Sequence, residues 1–328
     1  MPQCGANWQS MDYMLATVSL LYYRDGMTQE AIARRLGLSR PTIVTYLRRA
    51  REEGITEIRI AGAAFSSNRL SRDLCEAFGL ADVFIAPTEG ADDPDDPKLG
   101  VRTVARIGAM ALCDIASPGG RIGIAWGETL DLLARAMPNG RIADLSIYQV
   151  IGAMRSPLMH AAEYSAIRIA AALNAACNTL HAPALLSTPE MAAALRREQI
   201  IAEQLEQFDH LSCIAFTVGG TGPAAHIAQA GLVTAEELGR LRDIGAVGVV
   251  CGRLIDCRGR VMDVALHDRM IGISGTQFLA VPTRLGVVGG LERLDALRAA
   301  LAGQWITHLV VDDQLALALM AGVGSSNN

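Results

Sequence analysis

Arginine, threonine and valine side chains recur at helical spacing between residues 40 and 49, and together they have the chemistry of a surface that reads DNA. Arginine can bind phosphates or the edge of guanine, while threonine hydroxyl and valine methyl groups can contact base edges in the major groove. The residues that this pattern assigns to DNA binding are Thr28, Gln29, Ser39, Arg40, Pro41, Thr42, Val44, Thr45, Arg48 and Arg49. The alternative is an ordinary helical hairpin with a basic, solvated face.

Four glycine-containing turns indicate a second kind of chemistry, the binding of an anion. Each turn follows a predicted strand and precedes a predicted helix, where backbone amides and the helix dipole favour a phosphate or carboxylate. The turns are residues 126–129, 152–155, 220–225 and 289–293. For any one of them, glycine that merely permits tight strand-to-helix packing explains the sequence equally well. Four such turns on one sheet indicate a pocket.

The third turn has the GxGxxA spacing of a dinucleotide-binding turn, formed by Gly220, Gly222 and Ala225. Such a turn requires an acidic residue about 20 positions later, at the end of a second strand. Asp243 stands near that position but lies in a predicted helix. The spacing therefore indicates a tight turn and leaves nucleotide binding as an alternative.

Two short helices joined by a turn would position the DNA-contacting residues. Thr28 can cap the first helix, and Gly37 can end it because glycine enters the left-handed conformation without steric cost. Ser39 can cap the second helix, and Pro41 suits its first turn. A third helix over residues 11–23 would pack beneath the pair. The sequence thus predicts a three-helix, helix-turn-helix DNA-binding domain.

Residues 1–60 form this predicted domain, with residues 55–60 as an extended wing or linker strand. From residue 61 to residue 328, predicted strands and helices alternate, which indicates a doubly wound, mostly parallel α/β sheet covered on both faces. The predicted strands are residues 82–86, 121–125, 146–151, 213–218, 245–250, 285–288 and 308–311. The predicted helices include residues 69–79, 100–116, 129–136 and 161–176. Ligands bind such sheets outside the carboxyl ends of the strands, where the glycine turns lie.

Composition and charge exclude several classes of protein. The chain has 328 residues, of which 51% are hydrophobic, enough for two folded domains and too many for a disordered protein. It shows no signal peptide and no membrane span, so we expect a cytoplasmic protein without a membrane partner. Seven cysteines occur without a CxxC pair or a histidine pair at zinc-ligand spacing, so we expect no metal site. Between Arg24 and Arg59 there are eight arginines and five acidic residues, so this segment is net positive although the whole chain carries a net charge of −5. Positive charge is therefore concentrated in the predicted DNA-binding domain.

Catalysis would require an acid, a base or a nucleophile positioned beside a bound ligand. Glu128, Glu163, Asp256 and Asp312 could supply carboxylates, but the six histidines show no arrangement of nucleophile and base. Carboxylates can equally bind sugar hydroxyls. We therefore expect binding without turnover, with no catalytic residue and no cofactor.

Several segments, taken together, carry a resemblance to a known family. They are SRPTIVTYLRRAREEGITEIRI, IGIAWGETL, YQVIGAM followed by HAAEYSAIRIA, HAPALLS, GAVGVVCGRLIDCRGRVM, GVVGGLERLDALRAAL and THLVVDDQLALALM. In this order, over nearly the whole chain, they resemble the SorC family of bacterial transcriptional regulators. Its members join an N-terminal helix-turn-helix to a sugar-binding domain related to sugar-phosphate isomerases. The resemblance implies a regulator, usually a tetramer, whose partners are double-stranded operator DNA and a sugar or sugar-phosphate effector.

The resemblance also implies which residues bind the effector. They are Gly127, Thr129, Gly152, Ala153, Arg155, Asp256, Gly290 and Arg293. The sequence departs from the family pattern at three positions. Arg293 stands where many members have lysine, Ala153 where many have a second glycine, and Val249 where an acidic residue is common.

Two functions from different classes remain as alternatives. In the first, a sugar or sugar phosphate shifts the equilibrium between arrangements of the DNA-binding domains and so changes operator affinity. In the second, the chain is a sugar-phosphate isomerase-type enzyme or a nucleotide-dependent oxidoreductase with an appended DNA-binding domain. Because helix-turn-helix proteins usually bind symmetric half-sites, we expect a homo-oligomer, either a dimer or a tetramer.

Overall fold

The computed structural model describes residues 11–56, 61–88, 99–154, 162–223 and 225–325. The chain divides into two compact units, Met1–Arg59 and Ile60–Asn328. Each unit has its own hydrophobic core. In these described ranges we find no helix with the length and apolar character needed to cross a membrane.

The described residues of the first unit, 11–56, form three helices. They are α1 (Met11–Ser19), which continues as a π-helical turn (Leu20–Arg24), α2 (Gln29–Leu36) and α3 (Arg40–Glu52). Apolar residues three or four positions apart face a common core, among them Val18, Ile32, Ile43 and Leu47. This arrangement confirms the predicted helix-turn-helix. Most of the predicted wing lies outside the described residues, because residues 57–60 are not among them.

Local caps set the ends of α2 and α3, as the sequence predicts. The Thr28 side chain accepts a hydrogen bond from the amide of Ala31 at 3.2 Å, and the Ser39 side chain accepts one from the amide of Thr42 at 3.2 Å. Gly37 ends α2 with a φ of +65°. These contacts join residues close in sequence, so the turn depends little on the rest of the fold.

In the described part of the second unit, ten strands form two sheets. The strands are β1 (Asp82–Ala86), β2 (Arg121–Ile124), β3 (Ser146–Gln149), β4 (Ala176–Asn178), β5 (Cys213–Phe216), β6 (Val218–Gly220), β7 (Gly248–Val250), β8 (Arg253–Ile255), β9 (Thr283–Val288) and β10 (His308–Asp312). The larger sheet has the order β1-β10-β9-β5-β2-β3-β4, and every neighbouring pair in it is parallel. The predicted parallel sheet is confirmed.

Helices connect these strands and cover both faces of the larger sheet. They are α4 (Arg69–Phe78), α5 (Leu99–Ile115), α6 (Glu128–Ala136), α7 (Ala162–Leu173), α8 (Pro189–Arg196), α9 (Gln199–Glu206), α10 (His226–Gln229), α11 (Ala235–Asp243), α12 (Ala265–Asp268), α13 (Gly275–Ala280), α14 (Leu294–Ala302) and α15 (Asp313–Ser325). Alternate strand residues point to opposite faces, so Phe84 belongs to the core cluster that includes residues of α5, α6 and α7, whereas Val83 belongs to the cluster that includes residues of α4, α14 and α15. The sheet is therefore doubly wound, as predicted.

The smaller sheet corrects the prediction that residues 245–250 belong to the parallel sheet. β6, β7 and β8 pair antiparallel in the order β6-β7-β8. A two-residue hairpin joins β7 to β8, with φ of +47° at Cys251 and +76° at Gly252. Positive φ at both positions is typical of a type I′ turn, which asparagine and glycine favour and cysteine rarely adopts. Cysteine at the first position concealed the hairpin from the sequence.

Two further predictions change in detail. The predicted helix over residues 161–176 ends at Leu173, because Asn174 adopts a φ of +50° and residues 176–178 form the edge strand β4. Gly220 lies in β6 opposite Gly248, and α10 after it has only four residues. The GxGxxA segment therefore does not form the strand-to-helix turn that binds a dinucleotide.

Candidate functional site: a DNA-reading helix and an effector pocket

The exposed side of α3 is the reading face, because it carries the side chains expected to contact DNA. Arg40, Pro41, Val44, Thr45 and Arg48 are all exposed. Val44 is 45% exposed, so its methyl groups are accessible to a thymine methyl group in the major groove. The Arg48 guanidinium lies 3.8 Å from the carboxylate of Glu52, and both side chains are more than 60% exposed, so solvent weakens this pair.

Other predicted DNA-binding residues already have partners within the first unit. Thr42 is half-buried rather than outward-facing, and its hydroxyl lies 2.7 Å from that of Ser39. Arg49 donates two hydrogen bonds to Glu53, at 2.9 and 2.6 Å, and this pair raises the pKa of the Arg49 guanidinium. Gln29 accepts a hydrogen bond from Arg40 at 3.5 Å. The hydroxyls of Ser39 and Thr28 act as helix caps. These residues support the reading face rather than form its centre.

In the second unit, a pocket lies at the carboxyl ends of β2 and β5. The chain leaves β2 toward β3 on one side, whereas β5 lies on the other side and leads toward β9. The crevice between two strands whose connections diverge is the usual ligand site of a doubly wound sheet. The pocket is a partly open depression, and the space in and directly above it, including the part open to solvent, is about 400 Å³. Its place in the topology makes it the candidate effector site.

The walls of this pocket are mostly apolar. The lining residues are Ala125, Trp126, Thr217, Gly219, Gly220, His226, Ile227, Val249, Cys251 and Gly252. Burial raises the pKa of the Cys251 thiol to about 12, so this wall stays uncharged. Among the described residues, the buried hydroxyl oxygen of Thr217 has no hydrogen-bond partner. A buried unpaired hydroxyl is costly, and a ligand hydroxyl would satisfy it.

Two of the predicted effector-binding turns meet beside this pocket. The Arg293 guanidinium lies 3.5 Å from the hydroxyl of Thr129, which is buried at the start of α6. Gly127 has a φ of +130°, and a Cβ on it would lie 3.1 Å from a methyl carbon of Thr217. The turn before α14 borders Gly220, since a Cβ on Gly220 would lie 3.7 Å from the carbonyl oxygen of Glu292.

Arg293 is a nearly buried cation, with 13% of its side chain exposed. Burial lowers its pKa, and the carboxylates of Glu292, Glu128 and Asp312 act in the opposite direction. Asp312 has other partners, because it accepts hydrogen bonds of 2.7 Å from the amides of Gly290 and Leu315. The Gly290 amide is therefore already hydrogen-bonded. In this turn, the Arg293 guanidinium rather than the Gly290 amide is the group that suits an anion.

The turn after β3, residues 152–155, is predicted to offer free backbone amides to an anion. In the structure, two of these amides are paired within the protein. The Gly152 amide donates to the carbonyl of Ile271 at 3.0 Å, and the Ala153 amide donates to that of Ala182 at 2.8 Å. The prediction that this turn opens a helix with free amides is wrong in this respect, since tertiary pairing uses them. Arg155, the last predicted residue of the turn, lies outside the described residues.

Asp256 lies away from Arg293. Its carboxylate accepts hydrogen bonds of 2.9 Å from the amides of Arg258 and Arg260 and pairs with the Arg260 guanidinium at 2.7 Å, and these contacts lower its pKa. The same turn contacts the C-terminal end of α14, where the carbonyl of Gly259 accepts a hydrogen bond from Trp305. Arg293 precedes the N-terminal end of that helix, so the structure does not bring Asp256 to the Thr129 and Arg293 group.

None of the eight predicted effector-binding residues lines this pocket, although Trp126 and Gly220 belong to two of the predicted glycine turns. Thr217, Ile227 and Cys251 were not among the predicted site residues, because two of them belong to the unpredicted small sheet or its flanks. A signal existed for Thr217, which lies near the carboxyl end of the predicted strand over residues 213–218.

Among the described residues, no group of three or more histidine, cysteine, aspartate or glutamate side chains is placed to hold a metal ion.

His267 is hydrogen-bonded to the β7–β8 hairpin, which forms part of the pocket wall. Its Nε2 accepts a hydrogen bond from the amide of Leu254 at 2.9 Å, and Arg253 donates to its carbonyl at 3.2 Å. Burial, followed by the nearby charge of Arg253, lowers the pKa of His267 from 6.5 to about 4. The neutral ring is therefore the form that supports this wall.

We expect acid to destabilise the second unit through His267. Since the unfolded state binds a proton more tightly, this contribution is complete above pH 6.5 and is lost as the pH falls toward 4. Between pH 7.5 and 5 the loss in free energy of unfolding should be about 1–2 kcal/mol. Urea unfolding of the His267→Gln variant should show a correspondingly smaller change over the same interval. An identical pH dependence in both proteins would contradict the assignment.

Comparisons with known proteins identify the family. A family model described as "Putative sugar-binding domain" matches residues 62–321, and one described as "Sigma-70, region 4" matches residues 19–53. An Escherichia coli K12 protein, "Uncharacterized transcriptional regulator YjhU", is 32% identical over 302 residues, which cover 92% of each chain. The chain belongs to the SorC family of sugar-binding transcriptional regulators.

Two further proteins are similar to this chain, one in sequence and one in sequence and fold. The deoxyribonucleoside regulator of Bacillus subtilis is 26% identical over 303 residues, which cover 92% of this chain and 95% of its own. The crystal structure of the full-length sorbitol operon regulator SorC from Klebsiella pneumoniae has a TM-score of 0.69 and 25% identity, covering 94% of this chain and 99% of that one. The family consists of transcriptional regulators with sugar-binding domains, which decides against both enzyme alternatives.

Proposed function

We propose that this SorC-family regulator binds double-stranded operator DNA through α3 and binds a sugar or sugar phosphate in the pocket between β2 and β5. The observation that carries the proposal is the nearly buried Arg293 beside a pocket at the topological switch point. A cation there suits an anionic group, and the Thr217 hydroxyl suits a sugar hydroxyl. Relatives named for sorbitol and for deoxyribonucleosides support a carbohydrate effector.

In this proposal residues 1–60 read the operator, and residues 61–328 bind the effector and assemble the protein in the cytoplasm. One recognition helix contacts only a few base pairs, so two-fold symmetric binding by a dimer or tetramer supplies the affinity that a regulator needs. Sedimentation velocity at operator-binding concentrations should show an oligomer. A monomer under those conditions would contradict this part of the proposal.

The experiment that tests the function is selection of genomic DNA fragments on the purified full-length protein at near-physiological salt. Sequencing of retained fragments should reveal a two-fold symmetric site upstream of carbohydrate genes, which also names the effector pathway. Repeating the selection with a panel of sugars and sugar phosphates should change the retention of that site. No enrichment by folded protein, with or without the panel, would overturn the proposal.

Arg48→Ala should weaken operator binding by on the order of 1–3 kcal/mol if Arg48 reads a base edge, because this guanidinium is exposed on the reading face of α3. Gel-shift titration against the selected site and against a scrambled site measures the effect. Arg69→Ala is the matched control, since Arg69 is an exposed arginine of the second unit that pairs with Asp73. Equal operator affinity of the Arg48 variant and the wild type would remove Arg48 from the interface.

A further inference from the structure

The side chain of Glu292 folds back over the turn that contains Gly290. A Cβ on Gly290 would lie 2.5 Å from Oε1 of Glu292 and 2.7 Å from its Cδ, so the carboxylate rests directly against the glycine backbone. Gly290 also has a φ of +97°, which side-chain-bearing residues rarely adopt. Glycine at this position therefore leaves room for the carboxylate above the turn.

The same carboxylate faces the buried cation. Oε1 of Glu292 lies 3.6 Å from Nε of Arg293, and 72% of the glutamate side chain is exposed against 13% of the arginine side chain. Moving Glu292 into solvent costs little, because an exposed carboxylate keeps most of its hydration. Asp312 differs, since two backbone amides and its burial hold it in place. Glu292 is thus an exposed anion at an otherwise enclosed cation.

We propose that Glu292 is a built-in competitor for the anionic group of the effector. Its carboxylate pairs with Arg293 in the free protein, and an incoming phosphate or carboxylate group displaces it into solvent. This inference rests on the proposed effector site at Arg293. When a protein group occupies a site, the ligand binds only the fraction of protein in which that group has moved away. The apparent affinity equals the intrinsic affinity multiplied by this fraction. Glu292 therefore sets the effector concentration at which the regulator responds.

Removing the competitor should tighten anion binding. In the Glu292→Gln variant, the amide cannot repel the ligand as a like charge and cannot form the ion pair with Arg293. We expect inorganic phosphate to bind about two- to fivefold more tightly than to the wild type, because an ion pair with an exposed carboxylate competes only weakly. Asp295→Asn is the matched control, because Asp295 is also exposed, lies three residues away and faces Arg298 at 3.9 Å. Its phosphate affinity should equal that of the wild type.

The test is isothermal titration of full-length protein with inorganic phosphate and, separately, with acetate. The two titrations distinguish a phosphoryl group from a carboxylate as the displacing anion. Arg293→Leu, alone and combined with Glu292→Gln, should abolish binding of either anion, whereas Arg293→Lys should retain it because the cation remains. Thermal unfolding establishes that each variant is folded.

The outcomes separate this inference from the proposed function. Equal or weaker anion binding by Glu292→Gln, together with loss of binding in Arg293→Leu, would overturn the competitor role and leave the effector site intact. Anion binding that is unchanged in folded Arg293→Leu, or absent from the wild type and from Glu292→Gln alike, would overturn the Arg293 site itself. Tighter binding in Glu292→Gln that requires Arg293 supports both.

Discussion

Arg293→Ala is expected to abolish the response of operator binding to the effector. Arg293 is nearly buried beside the pocket and contacts the Thr129 hydroxyl, so we expect its guanidinium to pair with an anionic ligand in a poorly hydrated site. Truncating one partner of such a pair costs about 2–5 kcal/mol, which corresponds to a loss of effector affinity of roughly 30-fold to several thousandfold. The measurement is the effector dose response of operator binding, using the sugar or sugar phosphate identified by fragment selection.

The control for this variant is Arg240→Ala. Arg240 is an exposed arginine on α11 that pairs with Glu236, so its removal tests the loss of positive charge away from the pocket. Its dose response should match that of the wild type. Operator affinity measured without effector shows whether the Arg293 variant still folds and binds DNA. A dose response unaltered by Arg293→Ala would refute the assignment of Arg293 to the effector site.

Gly152→Ala is expected to destabilise the second unit by about 3 kcal/mol, because the new methyl group would meet fixed backbone. A Cβ at this position would lie 2.6 Å from the carbonyl oxygen of Ala182 and 2.6 Å from the carbonyl group of Pro183. Neither neighbour is the far end of a flexible side chain, so the paired segments must separate. The measurement is the free energy of unfolding from urea denaturation at pH 7.5.

Gly222→Ala is the matched control for Gly152→Ala. A Cβ on Gly222 would meet nothing within 4 Å, and its backbone does not adopt a left-handed φ. The change should therefore alter stability by no more than about 0.5 kcal/mol. Similar stabilities of the two variants would show that Gly152 does not pack as tightly as its geometry indicates. Full stability with a lost effector response would instead support the ligand-binding role that the family resemblance implies.

Local chemistry made part of this protein predictable from sequence. The Thr28 and Ser39 caps and the Gly37 turn each act across a few residues, so they define the helix-turn-helix without reference to the rest of the chain. β1 spans residues 82–86 exactly as its run of apolar residues predicts. The glycine turns after β2 and β9 also lie at the carboxyl ends of parallel strands, because a doubly wound sheet places every such turn on one edge.

The sequence by itself therefore determined the two-part organisation, the parallel sheet and the pairing of an exposed arginine face with a carbohydrate-binding domain. Only the tertiary structure decided which predicted turns border the pocket and which have their amides paired within the protein. Partners distant in sequence engage the amides of Gly152 and Ala153, place Asp256 at the far end of α14 and build a pocket wall from the β7–β8 hairpin. Hydrogen bonds and packing between distant segments follow from how strands and helices assemble, and residue spacing along the chain does not encode them directly.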